Sequence, residues 1–307
     1  MQPLTTGVSY FDLHHEDRPR VIAAAVLQDT SGVAIVDPGP SSTLPVLRRA
    51  LADAGIGIRD VTALVLTHIH LDHAGATGTL VAENPRLRVF VHERGAPHLA
   101  NPDKLIASAT RLYGDAMERL WGEIRAVPPD AMTVLRGGER IDAGGRRLEV
   151  AYTPGHASHH VSYFNADSGI AFVGDTAGVK LNPNGFVLPP TPPPDIDLET
   201  WAASLATIEA WRPDTLFLTH FGPAAPFDSH LDELRAHMDL TAGLVRTTLA
   251  RDGDDAAREM WFREQLIREL ERKSGEDGLA YEAAARFDLN WRGLARYFRK
   301  KADAVRP

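Results

Sequence analysis

Three histidines and an aspartate occupy six residues of the segment LTHIHLDHAG, as His68, His70, Asp72 and His73. Imidazole nitrogens and carboxylate oxygens are ligands for divalent metal ions, and this spacing places several of them at one turn. A merely polar loop would have no counterpart elsewhere in the chain. Half of a metal site would need further ligands, at points where the fold brings the chain back.

Three such residues follow downstream, as His156 in TPGH, Asp175 in FVGD and His220 in LFLTH. Each comes after an apolar run that predicts a strand. Strand ends at one edge of a sheet are where α/β folds collect functional groups. Seven nitrogen and oxygen ligands suit two divalent metals that share one bridging group. The sequence therefore predicts a dinuclear metal site.

The elements that must position these residues are short apolar runs that end in turn signals. Predicted strands cover residues 21–27, 32–39, 61–68, 86–92, 146–156, 161–164, 169–175 and 214–220, with the first two as neighbours. Residues 43–55 and 197–211 have the apolar spacing of helices.

Two segments interrupt this alternation. Residues 93–128 predict one or two helices inserted between strands, and the proline-rich residues 182–196 predict an irregular, stiffened loop. Both lie between strands whose ends carry predicted ligands, so we expect substrate specificity to reside there. From Phe227 onward the pattern predicts three helices and no strand, which divides the chain into a domain of residues 1–226 and a helical appendage of residues 227–307.

Composition excludes several kinds of site. The 307 residues include no cysteine, which removes disulfides, thiolate ligands and a cysteine nucleophile. The net charge is -8, so the chain lacks the excess of basic residues that is typical of nucleic-acid-binding proteins, and we expect no nucleic-acid partner. No signal peptide and no apolar run of membrane-spanning length is visible, so we expect a cytoplasmic protein with no membrane partner.

The pattern H-x-H-x-D-H, followed by separate His, Asp and His residues, resembles the metallo-β-lactamase-fold hydrolases. The short motifs TPGH and GD resemble those at the matching positions of the glyoxalase II-like branch. The resemblance covers about residues 8 to 225. It implies a four-layer αβ/βα sandwich, with two mixed sheets face to face, helices outside and a C-terminal helical appendage.

The resemblance also implies how the ligands divide between two metals. The first metal would be held by His68, His70 and His156, the second by Asp72, His73 and His220, with Asp175 as the bridge. A hydroxide between the metals would be the nucleophile, and Asp72 would help to orient it. Zinc is the expected metal, with iron and manganese as alternatives.

Further candidates lie around this set. Asp37, in VDPG, matches an aspartate near the histidine loop in this family. It is a candidate acceptor for the N–H of a ligand imidazole, although it could simply cap its turn. Substrate-side candidates are Tyr113, His159, His160 and Phe186, each with core packing or a surface role as the alternative.

The reaction implied is hydrolysis of an ester-type bond in a small molecule: a thioester, a lactone or a phosphodiester. The alternative is an oxidoreductase similar to the persulfide dioxygenases, which use a similar motif with a single iron. His70 stands where the flavo-di-iron branch carries Glu, which argues against that branch. The appended helices could also pair two chains as a homodimer.

Overall fold

A computed structural model describes residues 1–275 and 278–305. Seven strands form the first sheet, in the order β1-β2-β3-β4-β5-β6-β7. Strands β1 to β4 pair antiparallel, and β4 to β7 pair parallel. The strand bounds are Gln2–Thr5 (β1), Val8–Asp12 (β2), Ala23–Asp29 (β3), Gly32–Val36 (β4), Val61–Val65 (β5), Arg88–His92 (β6) and Met132–Leu135 (β7).

Six strands form the second sheet, in the order β13-β12-β11-β10-β9-β8. Strands β11 and β12 pair parallel, and the other neighbours pair antiparallel. Their bounds are Arg140–Ala143 (β8), Arg146–Tyr152 (β9), Val161–Asn165 (β10), Ile170–Gly174 (β11), Thr215–Leu218 (β12) and Gly222–Ala224 (β13).

Helices surround the two sheets. Their bounds are Leu44–Asp53 (α1), Leu71–Ala74 (α2), Thr77–Glu83 (α3), Ala96–Ala100 (α4), Asp103–Tyr113 (α5), Met117–Trp121 (α6), Leu198–Ala210 (α7), Phe227–Leu249 (α8), Asp255–Ser274 (α9), Gly278–Ala284 (α10) and Phe287–Val305 (α11). None of the helices in the described ranges is both long and apolar enough to cross a bilayer.

The two sheets face each other across a shared apolar core. Because side chains alternate along a strand, each sheet places one set of residues in this core and the other set against helices. Tyr10 of β2 meets Phe217 of β12 edge-on, with ring centroids 5.7 Å apart. The Tyr163 hydroxyl donates to the Leu66 carbonyl, 2.7 Å away, and so joins the sheets directly. The predicted four-layer sandwich is confirmed.

The C-terminal helices pack onto the outer face of the second sheet. Buried side chains of α8 to α11, such as Phe262 and Trp291, belong to the same core as the strand residues Val173 and Leu218. Four helices, rather than the predicted three, occupy the described part of this tail. The last predicted helix is broken at residues 285–286, where the chain turns between α10 and α11.

The insert after β6 contains three short helices, α4 to α6, where one or two were predicted. Pro102 and two glycines interrupt them. Gly114 and Gly122 end α5 and α6 with φ of +52° and +66°, which L side chains rarely adopt. The insert has a small core of its own, in which Leu120 and Trp121 pack on Leu71 beside the predicted metal ligands.

Candidate metal centre

Strand ends bring all seven predicted ligands to one edge of the sandwich. Parallel pairing places the carboxyl ends of β4 and β5 together, and likewise those of β11 and β12. Strand β9 runs in the same direction as β11, because both pair antiparallel with β10. The seven predicted ligands all follow β5, β9, β11 or β12; they are His68, His70, Asp72, His73, His156, Asp175 and His220.

A first group of donor atoms could hold one metal ion. It consists of His68, His70, His156 and Asp175, whose ligand atoms all lie within 4.8 Å of one another. Nδ1 of His70 lies 2.9 Å from Nε2 of His68 and 3.0 Å from Nε2 of His156. Three imidazole nitrogens therefore converge on one point, which is how a metal site gathers its donors.

A second group could hold another ion, and it consists of Asp72, His73 and His220. Nε2 of His220 lies 3.4 Å from Oδ2 of Asp72, and Nε2 of His73 lies 3.8 Å from the same oxygen. His73 and Asp72 share the first turn of α2, which begins directly after His70. The helix therefore distributes consecutive residues of the motif between the two groups.

Asp175 faces both groups, one oxygen to each. Its Oδ2 lies 3.3 Å from Nε2 of His156, and its Oδ1 lies 3.2 Å from Nε2 of His73 and 3.5 Å from Nε2 of His220. His73 Nε2 and Asp175 Oδ1 are buried and have no hydrogen-bond partner among the described residues. Since buried polar atoms are normally paired, a bound cation is the natural partner for these two.

Hydrogen bonds behind the imidazoles fix which nitrogen faces the centre. Nδ1–H of His156 donates to the Pro190 carbonyl at 2.8 Å, and Nδ1–H of His220 donates to the Val21 carbonyl at 2.6 Å. In both rings Nε2 is left with its lone pair toward the other donors. Metal-binding histidines are held in this way, because the outer hydrogen bond sets tautomer and ring orientation.

Asp37 collects four hydrogen bonds beneath the centre. Its Oδ1 accepts from the Thr67 N–H at 2.8 Å. Its Oδ2 accepts from the Thr67 hydroxyl at 2.7 Å, the Thr219 hydroxyl at 2.8 Å and Nδ1–H of His73 at 2.8 Å. Asp37 is completely buried and has a φ of +49°. It therefore does more than cap its turn, because it ties the loops after β4, β5 and β12 to one imidazole.

The two groups differ in their electrostatics. Burial lowers the pKa of His68 well below its usual value and that of His70 to about 4, and neighbouring imidazoles contribute in the same direction. Burial alone would also lower the pKa of His73 and His220, but nearby carboxylates, Asp175 foremost, raise both above the usual value. The first group thus offers neutral imidazoles, which is the form that binds metal.

The residue before Asp175 is Gly174, and tight packing leaves no room for a side chain there. Gly174 has a φ of +47°, and a Cβ there would lie 2.5 Å from Oγ1 of Thr67 and 2.7 Å from Nε2 of His160. His160 Nε2 accepts from the Asp175 N–H at 3.3 Å, and its Nδ1 lies 3.0 Å from Oγ1 of Thr153. His160 is fully buried, so it supports the Asp175 backbone instead of lying on the substrate side.

A cavity of about 970 Å³ opens above the donor groups. Its walls come from the insert helices, the proline-rich loop and the tail, from Leu279 to Asn290. The Thr191 N–H donates to Oδ1 of Asn290 at 2.8 Å, and its hydroxyl donates to the Asn290 carbonyl at 3.1 Å. These bonds join the proline-rich loop to α11, so loop and tail form one wall.

Of the predicted substrate-side residues, Tyr113 and His159 line this cavity. Burial, reinforced by the Asp72 carboxylate, raises the pKa of the Tyr113 hydroxyl well above its usual value. His159 lies beside the first donor group, with its ring 5.4 Å from that of His70. The hydroxyl of Tyr152, which precedes the TPGH turn, is not in the cavity wall and donates to the Ser158 carbonyl at 2.9 Å.

The prediction for Phe186 does not match its position. Its side chain is buried in the core beneath the tail and is absent from the cavity wall, as are Leu188 and Trp201. The ring of Phe186 stacks on His237 of α8, with centroids 3.6 Å apart. The proline-rich loop therefore directs its prolines to the cavity and its apolar side chains into the core.

Sequence reasoning missed two cavity residues, His15 and Trp121. His15 lies in a short irregular segment with no recognisable motif, and Trp121 was equally compatible with a core position. Their rings stack with centroids 5.4 Å apart, although the two residues are distant in the chain. Only the tertiary structure identifies this pair.

Residues 17–220 match the family model of the metallo-beta-lactamase superfamily. The chain belongs to this superfamily. Among curated members, a metallo-beta-lactamase fold-containing protein of Sulfurisphaera tokodaii is 34% identical over 176 residues, which are 56% of this chain and 65% of that protein. A hydroxyacylglutathione hydrolase of Synechococcus sp. is 32% identical over 148 residues, 48% of this chain and 45% of that protein.

The matches thus span about half to two thirds of the length of these curated superfamily members. Among solved structures, a metallo-beta-lactamase family protein from Thermus thermophilus superposes with a TM-score of 0.72, covering 98% of this chain and 95% of that one. Its sequence is 22% identical, so this likeness shows the fold alone. The family predicted from the ligand motif is confirmed.

Proposed function

We propose that this protein is a metal-dependent hydrolase that cleaves an ester-type bond of a small molecule with two divalent ions. The observation that carries the proposal is the position of Asp175, whose two oxygens face two separate donor groups. The first ion would be held by His68, His70 and His156, the second by Asp72, His73 and His220, with Asp175 shared. Zinc is the proposed metal, because neutral imidazoles and carboxylates suit it.

When bound, two such ions lower the pKa of a water molecule and polarise the bond to be cleaved. The chain's own residues then position the reactants. Asp72 is half-buried and lines the cavity, so its carboxylate can orient the attacking water as well as bind metal. Asp37 holds the His73 ring in place through its Nδ1–H. The sequence has no cysteine to act as a covalent nucleophile.

The cavity supports a small-molecule substrate. Its volume of about 970 Å³ lies within the usual range of ligand pockets. The relative named a hydroxyacylglutathione hydrolase supports a thioester among the three bond types, with lactones and phosphodiesters as alternatives. Homodimer formation through the C-terminal helices stays a prediction.

The test is metal analysis of the purified protein combined with a hydrolysis panel of thioesters, lactones and phosphodiesters. We expect about two ions per chain, hydrolysis without oxygen uptake, and ¹⁸O from labelled water in the product. Activity should vanish with a chelator and return with added zinc. One iron per chain with oxygen consumption would establish the dioxygenase alternative, and an acyl-enzyme or full activity in metal-free protein would overturn the proposal.

A further inference from the structure

Two buried ring nitrogens in the cavity wall have no hydrogen-bond partner. His15 and Trp121 are only 4% and 7% exposed. Nδ1 of His15 and Nε1 of Trp121 bond to nothing in the described ranges 1–275 and 278–305. Folded proteins pair the great majority of such atoms, because a buried group without a partner loses its hydration. Both residues line the cavity, where a bound ligand could supply the missing partner.

The two rings are held firmly together. They stack with an interplanar angle of 10°, and Tyr113 meets Trp121 edge-on with centroids 5.0 Å apart. An ion pair between Glu16 and Arg119 joins the same two segments. The carbonyl of Leu120 accepts from the Ser42 hydroxyl at 2.6 Å, which anchors α6 to the body of the protein. The pair is therefore a fixed part of the wall.

The segment that carries His15 has a strained backbone. His14, Glu16, Asp17 and Arg20 all have positive φ, between 46° and 64°. The carboxylate of Asp12 closes the segment, because it accepts from the His14 N–H at 3.0 Å and from the Arg20 N–H at 2.7 Å. Non-glycine residues in this region cost energy and persist where a site needs a particular backbone path.

His15 lies on the side of the second donor group. Its pKa is lowered mainly by burial, while the Asp72 carboxylate acts in the opposite direction and His220 in the same one. The imidazole is accordingly neutral near pH 7 and can donate from one nitrogen. The indole of Trp121 has an N–H and no acceptor, so its partner must be an acceptor.

We propose that His15 and Trp121 form a specificity pair that binds an acceptor oxygen of the substrate beside the bond to be cleaved. The inference rests on the proposed hydrolase function. A purely hydrocarbon group at this point would leave both nitrogens unpaired, so the pair selects substrates that carry an ether, hydroxyl, carbonyl or carboxylate oxygen there. A site built for such a bond rejects analogues that lack the acceptor more strongly than an apolar pocket rejects a methylene.

Matched substrates test this selection on the zinc-loaded protein. One pair compares methoxyacetyl with butanoyl esters, and the other compares 2-methoxyethyl with butyl esters, so each pair exchanges one ether oxygen for a methylene. Each kcat/KM ratio is divided by the ratio of the alkaline hydrolysis rates of the same two esters, because the ether oxygen also activates the ester inductively. We expect the corrected ratio to favour the ether by roughly tenfold or more in at least one pair. Trp121→Phe and His15→Phe, which keep an aromatic ring, should reduce that ratio by about fivefold or more.

Trp211→Phe is the matched control, because Trp211 stacks on Phe164 outside the cavity, and it should leave both ratios unchanged. Ratios near one in the wild type, or ratios unaffected by both cavity variants, would overturn the proposal.

A binding measurement separates this proposal from the proposed reaction. In ¹⁵N-labelled, zinc-loaded protein, the Trp121 indole N–H signal is assigned by its loss in Trp121→Phe. Methoxyacetate or 2-methoxyethanol should shift this signal downfield, whereas butanoate and butan-1-ol should not. If none of these four esters is hydrolysed, this titration decides alone: a signal that neither ether fragment shifts would refute the pair's role. The proposed function is judged separately, by the panel of thioesters, lactones and phosphodiesters.

Discussion

Replacing Asp37 with Asn tests how far the metal centre depends on the carboxylate beneath it. Asparagine keeps the size but has one acceptor oxygen and one NH2 group. Three donors reach Oδ2 and one, the Thr67 N–H, reaches Oδ1. In its best orientation the new amide keeps its oxygen toward the three donors, and its NH2 then faces the Thr67 N–H.

The magnitude follows from these contacts. A buried donor without a partner costs about 1–3 kcal/mol, and the three remaining bonds lose the extra strength that a charged acceptor gives. We expect the free energy of unfolding of metal-free Asp37→Asn to fall by about 3 kcal/mol. Since His73 loses its carboxylate acceptor, affinity for the ion at the second donor group should fall roughly 10- to 100-fold.

Urea unfolding of the metal-free protein measures the first effect, and competition with a chelating dye measures the second. Asp60→Asn is the control, because among the described residues the exposed Asp60 accepts only from the Gly57 N–H, at 2.8 Å. This substitution should change stability by less than about 1 kcal/mol. If Asp37→Asn unfolds at the wild-type urea concentration and binds both ions as tightly, Asp37 does not orient His73 and the reasoning is wrong.

Three further predictions concern the centre and its surroundings. Asp175→Ala should lose metal and roughly 100-fold or more of hydrolysis while remaining folded by circular dichroism; two retained ions would contradict the assignment. Burial lowers the pKa of His230 to about 4, so its contribution to stability is full above pH 6.5 and is lost as the pH falls toward 4. Glutamine at position 230 can still donate to the Ala177 carbonyl. In urea unfolding at pH 5, His230→Gln should therefore lose about 2 kcal/mol less stability, relative to pH 7, than the wild type loses; equal losses in the two proteins would contradict this. Gly293→Ala should destabilise by about 1–3 kcal/mol, measured by thermal unfolding, because its Cβ would lie 1.9 Å from the Thr191 carbonyl oxygen.

The convergence of the seven candidate ligands was predictable, because each follows an apolar strand pattern. Five strands were not predicted, namely β1, β2, β7, β8 and β13. Each has only three to five residues, but length alone does not explain the omission, because the predicted β12 has only four and β2 contains the same VSYF run as the predicted β10. The break in the last predicted helix was also invisible, because it depends on where Tyr281 and Phe287 meet the core.

The substrate side was less predictable for a physical reason. His159 and His160 are adjacent, but one lines the cavity and the other lies beneath Asp175, and only the path of the turn decides which. Phe186 sits in a loop that overhangs the centre, but its own side chain turns toward α8. Sequence reasoning placed these segments correctly and could not orient the individual side chains.

The candidate metal donors and the cavity walls come from different parts of the fold, and this affects how substrate preference can change during evolution. The seven donors lie on strand ends of the sandwich, whereas most of the cavity wall comes from the insert, the proline-rich loop and the tail. Mutations can therefore accumulate in the walls while the metal chemistry is preserved. The hydrogen bonds between Thr191 and Asn290 limit this freedom, because they couple the loop to α11. Substitutions in one of these segments must therefore remain compatible with the other. A tail grafted from a relative should bring its own loop with it if the chimaera is to keep a closed wall.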